Sequence, residues 1–372
     1  MDALTIIIII LSLGYIGYII FERVYYIKIR KKIKHVILVN GIRGKSTVCR
    51  LIDAGLRKCG FKVYTKTTGT LAMIIDENNN EVPVKRLGPA NIREQLKIMR
   101  KAVKANADVL VIECMAVLPE LQEIVQQKMV NADIVIITNV RPDHLGQMGN
   151  SLEELASAFA KTMPKNGKFI IDNDEFLSIY QSQNFNNTEI VIAKDYEIAD
   201  ANTVFETFSD NLNLSLSVCE LLNLSNETFI EGMKDYHHDF GAYQIIKHGN
   251  STLVSAFAAN DIVSTKMLFD ETLKKFDKDK ITILFNSRDD RPTRTKQFIN
   301  LICELNCKKI ILYGTNINYI KNKLVKLGNN NVSILKSPDQ LFNEEIVFGM
   351  GNIKNFGIDL INLYKKDGEQ DG

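Results

Sequence analysis

The chain opens on an unbroken apolar run, "ALTIIIIILSLGYIGYIIF" (residues 3–21), followed at once by a basic stretch. Nineteen uncharged residues suffice to cross about 30 Å of hydrocarbon as one helix. From His35 onward the pattern changes: short β-branched runs alternate with helical periods. "HVILV", "FKVYTK", "DVLVIEC", "DIVIITNV", "KFIIDN" and "EIVIAK" come first, and "STLVSAF", "ITILFN", "KIILYG" and "EIVFGMG" follow a helix-rich interval from about Asn211 to Tyr236. Between them lie "STVCRLIDAGLRKCG", "ANIREQLKIMRKAVKAN", "SLEELASAFAKTM" and "TKQFINLICELN". Near-continuous apolar strands separated by helices predict parallel sheets covered on both faces. "HHDFGAYQ" reads as a connector, so a second α/β domain is expected from about Ile245.

Charge decides how the first run is read. The net charge is +2, yet Arg23, Lys28, Arg30, Lys31, Lys32 and Lys34 crowd the stretch after the apolar run, and the chain beyond it sums to about −2. That balance excludes a general nucleic-acid binder. A secretory signal carries its positive charge in front and a small-residue cleavage site behind; here Asp2 precedes the run and the basic cluster follows it. The positive-inside rule then predicts a membrane anchor with everything after Phe21 on the cytosolic side. The six cysteines show no zinc-type spacing, and a reducing compartment predicts free thiols. Cys303 and Cys307, four apart, are expected on one helix.

Candidate chemistry gathers at the predicted strand ends. In "HVILVNGIRGKSTVCRLIDAGLRKCG" (residues 35–60) a strand crosses a glycine-flanked turn into a helix. Gly41 and Gly44 let backbone N–H groups approach phosphate oxygens, and the helix directs its positive end to the same place. Lys45 is the residue type that reaches the β- and γ-phosphates, and Ser46 the one that ligates magnesium. Val39 occupies the first glycine position of the usual phosphate-loop spacing, so the strand–turn–helix context carries the reading. "KTTGT" (residues 66–70) suits phosphate or metal contact, or an ordinary turn. Glu113, closing "DVLVIE", and Asn139, Asp143 and His144, beyond "DIVIIT", stand where doubly wound sheets bind ligands. A carboxylate near a phosphate turn is suited to magnesium. Asn211 fits a helix cap. Arg288, Arg291 and Arg294 form a cationic patch after a strand, suited to carboxylates or phosphates, or to a solvated turn.

Taken in order, "NGIRGKST", "KTTGT", "GPANIREQ", "ECMAVLPELQ", "NVRPDHLGQMG", "FAANDIVST", "RDDRPTRTKQF" and "GMGN" resemble the Mur ligase superfamily, and most closely the ligase subunit of poly-γ-glutamate synthase (the CapB/PgsB type). The phosphate turn without its distant glycine is that superfamily's variant. The resemblance implies an α/β fold: an N-terminal transmembrane helix, a P-loop parallel-sheet ATPase domain and a smaller C-terminal Mur ligase-like domain. The expected divisions are an anchor (1–21), a basic juxtamembrane segment (22–34), a central ATP-binding domain (35–244), a C-terminal domain (245–360) and a flexible tail (361–372). It implies ATP and Mg2+ as cofactors. Nucleotide contacts would come from Gly41, Arg43, Gly44, Lys45, Ser46, Thr47, Asn211, Asn260 and Asp261. Magnesium would be held by Ser46, Thr68, Glu113 and His144, and the reaction served by Lys45, Glu113, His144, Arg288, Arg291 and Arg294. Many Mur ligases carry a carbamylated lysine where this chain has Phe159; Lys161 is two residues out of register and is not assigned that role. The implied activity is ATP-dependent addition of glutamate to a growing poly-γ-glutamate chain through an acyl phosphate. The implied partners are the membrane, a multi-span CapC/PgsC-type subunit and an anchored CapA/PgsA-type subunit. The alternatives are a Mur-type ligase acting on a folate or cell-wall precursor, and a membrane-anchored nucleotide-binding scaffold.

Overall fold

In the computed structural model, the residues described are 3–69, 71–86, 88–142, 146–184, 187–196, 209–239, 243–259, 261–289, 292–353 and 356–366. The chain divides into two compact units, residues 1–238 and 239–372.

The first unit begins with helix α1 (Ala3–Arg30), long and apolar enough to cross a membrane. After it comes a mixed sheet of β1 (His35–Asn40), β2 (Val63–Lys66), β3 (Met73–Ile75), β4 (Glu81–Pro83), β5 (Val109–Glu113), β6 (Ile134–Ile137), β7 (Lys168–Ile171) and β8 (Glu189–Ile192), in the order β4-β3-β2-β5-β1-β6-β7-β8. From β2 to β8 across the sheet every pairing is parallel. The antiparallel β2-β3-β4 edge departs from the expected all-parallel pattern. Its cause is local: Asp76 accepts hydrogen bonds from the Asn78 and Asn80 amides, and Asn79 takes the left-handed conformation (φ 67°), which folds a tight hairpin. Two three-residue strands are too short to show a period of two.

Alternate residues of β1 serve opposite faces. Val36 and Leu38 pack with α3 (Glu94–Lys104) and α5 (Leu152–Ala160), whereas Ile37 and Val39 pack with α2 (Lys45–Lys58), α7 (Ser209–Leu221) and α8 (Asn226–Lys234). The short helices α4 (Pro119–Ile124) and α6 (Leu177–Ser182) complete the unit. The central strand, flanked by β5 and β6, thus has all its side chains buried beyond His35, and the sheet's switch of direction falls at its C-terminal end.

The second unit holds β9 (Gln244–His248), β10 (Ser251–Ser255), β11 (Ile281–Ser287), β12 (Lys309–Gly314), β13 (Val332–Ile334) and β14 (Ile346–Gly351), ordered β13-β12-β11-β14-β10-β9. Only β9 runs antiparallel, joined to β10 through Gly249, whose φ of 54° suits a two-residue hairpin turn. Helices α9 (Ile262–Leu273), α10 (Pro292–Leu305), α11 (Ile317–Lys326) and α12 (Phe356–Lys366) accompany the strands. Two expectations change. Helix α12 runs through Lys366, with Leu360, Ile361 and Tyr364 sharing a buried face and Asn362, Lys365 and Lys366 exposed; residues 361–366 are therefore helical. All six cysteines are free, but Cys307 lies past the end of α10, after Asn306 in the left-handed conformation.

Candidate functional site

The turn between β1 and α2 is fixed from below. Gly41 (φ 118°) lies so close to Thr138 that a Cβ would stand 2.3 Å from its Oγ1. At Gly44 (φ 81°) a Cβ would stand 2.3 Å from Asn211 Oδ1. Both positions therefore require glycine for conformation and for space. Asn139, one residue past the buried Thr138, braces the middle of the turn: its Oδ1 accepts from the Arg43 amide at 3.0 Å and its Nδ2 donates to the Arg43 carbonyl at 3.1 Å. Asn40 Oδ1 accepts from the Gly41 amide at 2.9 Å, while Asn40 Nδ2 is held by Gln122 at 2.8 Å. Gly44 precedes α2 with no side-chain cap, so the helix N-terminus over Lys45, Ser46 and Thr47 has the form that suits an anion. Lys45 Nζ folds over the turn, donating to the carbonyls of Gly41 (2.8 Å) and Ile42 (3.1 Å).

Glu113 closes the adjacent strand β5 and is only 3% exposed. One carboxylate oxygen, Oε2, accepts from Ser46 Oγ at 2.7 Å and from the Thr68 amide at 2.6 Å. The segments 45–47, 66–68 and 113 thus meet at one point. Around it, the buried hydroxyls of Thr67 and Thr138 and the buried Oε1 of Gln95 have no hydrogen-bond partner. Uncommitted oxygens beside a carboxylate and a serine hydroxyl form a hard-donor set, which fits a divalent cation of the magnesium type.

A second tier supports this point. Lys66, fully buried at the end of β2, lies 3.0 Å from Glu94. Burial pulls the Lys66 pKa down, against the charge and hydrogen bond of Glu94. Glu94 is also gripped by Arg86 through two hydrogen bonds of 2.7 and 3.1 Å. Burial raises the Glu94 pKa, but the Arg86 hydrogen bond and the Lys66 ammonium outweigh it, and the carboxyl ends below its ordinary value. Cys114, next to Glu113, is pushed up to about 11 by burial, so it is an inert thiol at neutral pH.

The first unit therefore brings together Gly41, Arg43, Gly44, Lys45, Ser46, Thr47, Thr68, Glu113 and Asn211. Asn211 is not a cap: it is buried within α7, its side chain against Gly44. In the second unit Asp261 caps α9, accepting from the Ser264 amide at 2.8 Å. Arg288 follows β11 and reaches Asn352 Oδ1 at 3.4 Å, and Arg294 lies in the first turns of α10. His144, Asn260 and Arg291, and Asp143 with them, lie outside the described residues. Phe159 is 1% exposed in the core of the sheet face, and Lys161 sits 3.8 Å from Glu120. Gln95 and Glu94 were missed in the sequence, whereas Asn139 was a strand-end candidate there, though not as a brace of the turn. A charged Lys66 ending an apolar strand was the one visible signal.

A mostly parallel sheet whose central strand ends in a glycine-flanked turn, beside a carboxylate tied to that turn's serine, is compatible with a Mur-type ligase. The Mur ligase middle domain profile matches residues 39–230, and that of the poly-gamma-glutamate synthase CapB C-terminal domain matches residues 242–367. The chain is 35% identical over 355 residues to PGA synthase CapB of Bacillus subtilis (strain 168), covering 88% of this chain and 90% of that protein. It is 33% identical over 354 residues to the capsule biosynthesis protein CapB of Bacillus anthracis, covering 88% and 76%. Among solved structures, a Mycobacterium tuberculosis folylpolyglutamate synthase complexed with ADP and AMPPCP aligns over 91% of this chain and 93% of its own, with TM-score 0.67 and 12% identity. MurF from Acinetobacter baumannii aligns over 90% and 78%, with TM-score 0.65 and 13% identity. The chain belongs to the CapB family of Mur-type ligases.

Proposed function

We propose that the protein is an ATP-dependent amide ligase that adds glutamate to a growing poly-γ-glutamate chain, releasing ADP and phosphate. The single observation that carries this reading is the junction of Ser46, Thr68 and Glu113 beneath the Gly41–Gly44 turn, in a chain of the CapB family. A carboxylate and an amine at neutral pH form a salt rather than an amide, so the acid must first be activated. In the proposed reaction the terminal carboxylate of the chain attacks the γ-phosphorus of ATP and ADP leaves. The glutamate amine then attacks the acyl carbon, and phosphate departs with the carboxylate oxygen it received.

The turn amides and the α2 N-terminus hold the phosphates, and Lys45 leaves the carbonyls of Gly41 and Ile42 to meet the charge of the transferring group. Glu113, Ser46 and Thr68, with His144, would hold magnesium, which would supply counter-charge for the phosphates. Asn211, Asn260 and Asp261 serve the nucleotide, and Arg288, Arg291 and Arg294 orient the polyanionic acceptor through its carboxylates. Residues 3–21 of α1 span the cell membrane once, and the basic stretch keeps the catalytic units on the cytoplasmic side. There the chain works with the membrane, a multi-span CapC/PgsC-type subunit and an anchored CapA/PgsA-type subunit.

The test is nucleotide turnover by the chain assembled with those subunits in membranes. ADP release that requires glutamate is expected. Nucleotide binding with no glutamate-dependent turnover would replace the ligase with a scaffold.

A further inference from the structure

Helix α1 does not stop where its apolar run stops. It continues to Arg30 and lies against α3, with Tyr26 and Ile29 buried in the same core cluster as Leu96 and Met99. Polar contacts pin this extension at both ends and in the middle. Glu22 Oε1 meets Arg93 Nη2 at 2.5 Å, at the residue that precedes α3. The Arg100 guanidinium lies 4.9 Å from the Tyr26 ring centre and 5.3 Å from that of Tyr25. Arg30 donates to the carbonyls of Asn131 (2.8 Å) and Ile33 (3.1 Å) and pairs with Asp133 at 2.6 Å. Asp133 in turn accepts from the Val36 amide of β1 at 2.9 Å.

The inner side of α3 faces the candidate site. Its first two residues both hold strand ends: Glu94 pairs with Lys66 of β2, and Gln95 Nε2 donates to the Glu113 carbonyl of β5 at 3.0 Å. Gln95, Lys66 and Glu113 are all buried. Arg93, which grips α1, immediately precedes them. A buried lysine cannot lose its carboxylate without a large desolvation cost, so the first turn of α3 and the ends of β2 and β5 move as one piece.

We propose that the docked part of α1 is a positioning element of the ligase site: Glu22, Arg93 and Arg100 fix the first turn of α3, and through Glu94 and Gln95 they fix Lys66 and Glu113. The anchor is then part of the scaffold that sets the Glu113 carboxylate, and not merely a tether. This inference rests on the reading of Glu113 as a magnesium ligand. Arg93 and Arg100 touch neither nucleotide nor acceptor in that reading; they act through α3.

The test uses the full chain in lipid nanodiscs and reads binding of a fluorescent ATP analogue as magnesium is titrated, a signal that needs no glutamate. Glu22→Arg and Arg93→Glu are each expected to raise the magnesium concentration for half-maximal binding about fivefold, with Tm held within about 2 °C. The double exchange Glu22→Arg/Arg93→Glu restores the pair and is expected to return the requirement to within about twofold of the unmodified chain. Arg100→Leu should behave as the single exchanges do, and Arg100→Lys, which keeps a cation over the rings, should lie close to the parent. Single variants with an unchanged magnesium requirement, or a double variant no better than the singles, would overturn the proposal. Nucleotide binding that ignores magnesium in the unmodified chain would instead remove the reading of Glu113 on which it stands. Absence of glutamate-dependent turnover would strike the ligase assignment and leave this titration intact.

Discussion

The two units present charge at their strand ends in contrasting ways. In the first, Glu113 is 3% exposed and its carboxylate is tied to Ser46 and Thr68 at 2.7 and 2.6 Å, on strands that pair in register from end to end. In the second, Arg288 stands half-buried beyond β11, reaching Asn352 at the outer limit of a hydrogen bond, and Asp289 beside it is exposed. The first arrangement is preorganised, as a site must be where charge moves during phosphoryl transfer. The second sets its charges nearer the surface, which in the proposed reading suits an acceptor that grows and presents a new carboxylate each cycle. In the proposed reading, rigidity serves phosphoryl transfer and latitude serves the growing acceptor.

That contrast is broken most directly at Lys45. Lys45→Ala should lower glutamate-dependent ADP release by on the order of 10²–10³-fold, while the far-ultraviolet dichroism and thermal midpoint stay those of the parent, since the turn that Lys45 covers is also braced by Asn40 and Asn139. Undiminished turnover would remove its role. A smaller effect is expected at Arg288: Arg288→Ala should raise the KM for the glutamyl acceptor about tenfold and change the ATP affinity by less than about twofold. The reverse split would transfer this arginine to the nucleotide.

The smallest effect concerns a group outside the phosphate mouth. Asp172 lies past β7 in a cavity of about 360 Å³ that it shares with Asp174, Asp195 and Asp210. Burial, with a further push from Asp210, raises its pKa to about 6. A carboxyl that holds its proton more tightly folded than unfolded contributes stability at low pH and loses it as pH rises from about 4 to about 6. Asp172→Asn should therefore flatten the pH dependence of the urea midpoint across that window and make the variant more stable at pH 7 by about 1–2 kcal/mol, the partial exposure having reduced the full shift. An unchanged slope would show that Asp172 titrates normally.

The Gly41–Gly44 turn and Glu113 were legible as candidates in the sequence because each ends a continuous apolar run, and a charge or glycine there has few other reasons to exist. The sequence concealed the supports. Gln95 and Glu94 lie in a stretch whose helical period was visible, but nothing in that period says that Gln95 turns inward to Glu113. Asn211 looked like a cap because a capping asparagine and one buried against a glycine are written alike; only the approach to Gly44 separates them. The β3-β4 hairpin and β9 escaped notice for a different reason. Edge strands carry polar faces and run for three to five residues, so their alternation is lost among turn residues. The ion pair between Glu22 of α1 and Arg93 before α3 joins residues 71 apart, a distance over which composition carries no pairing information.

The account's central claim is that an acid is activated as an acyl phosphate, and following oxygen tests it most directly. An acceptor chain labelled with oxygen-18 in its terminal carboxylates is given to the assembled synthase with ATP and glutamate carrying the same carboxylate label, so that every new terminus is labelled, and the released phosphate is weighed by mass spectrometry. One labelled oxygen in phosphate for each amide formed is the predicted result. Unlabelled phosphate accompanying amide formation, or release of AMP in place of ADP, would contradict it.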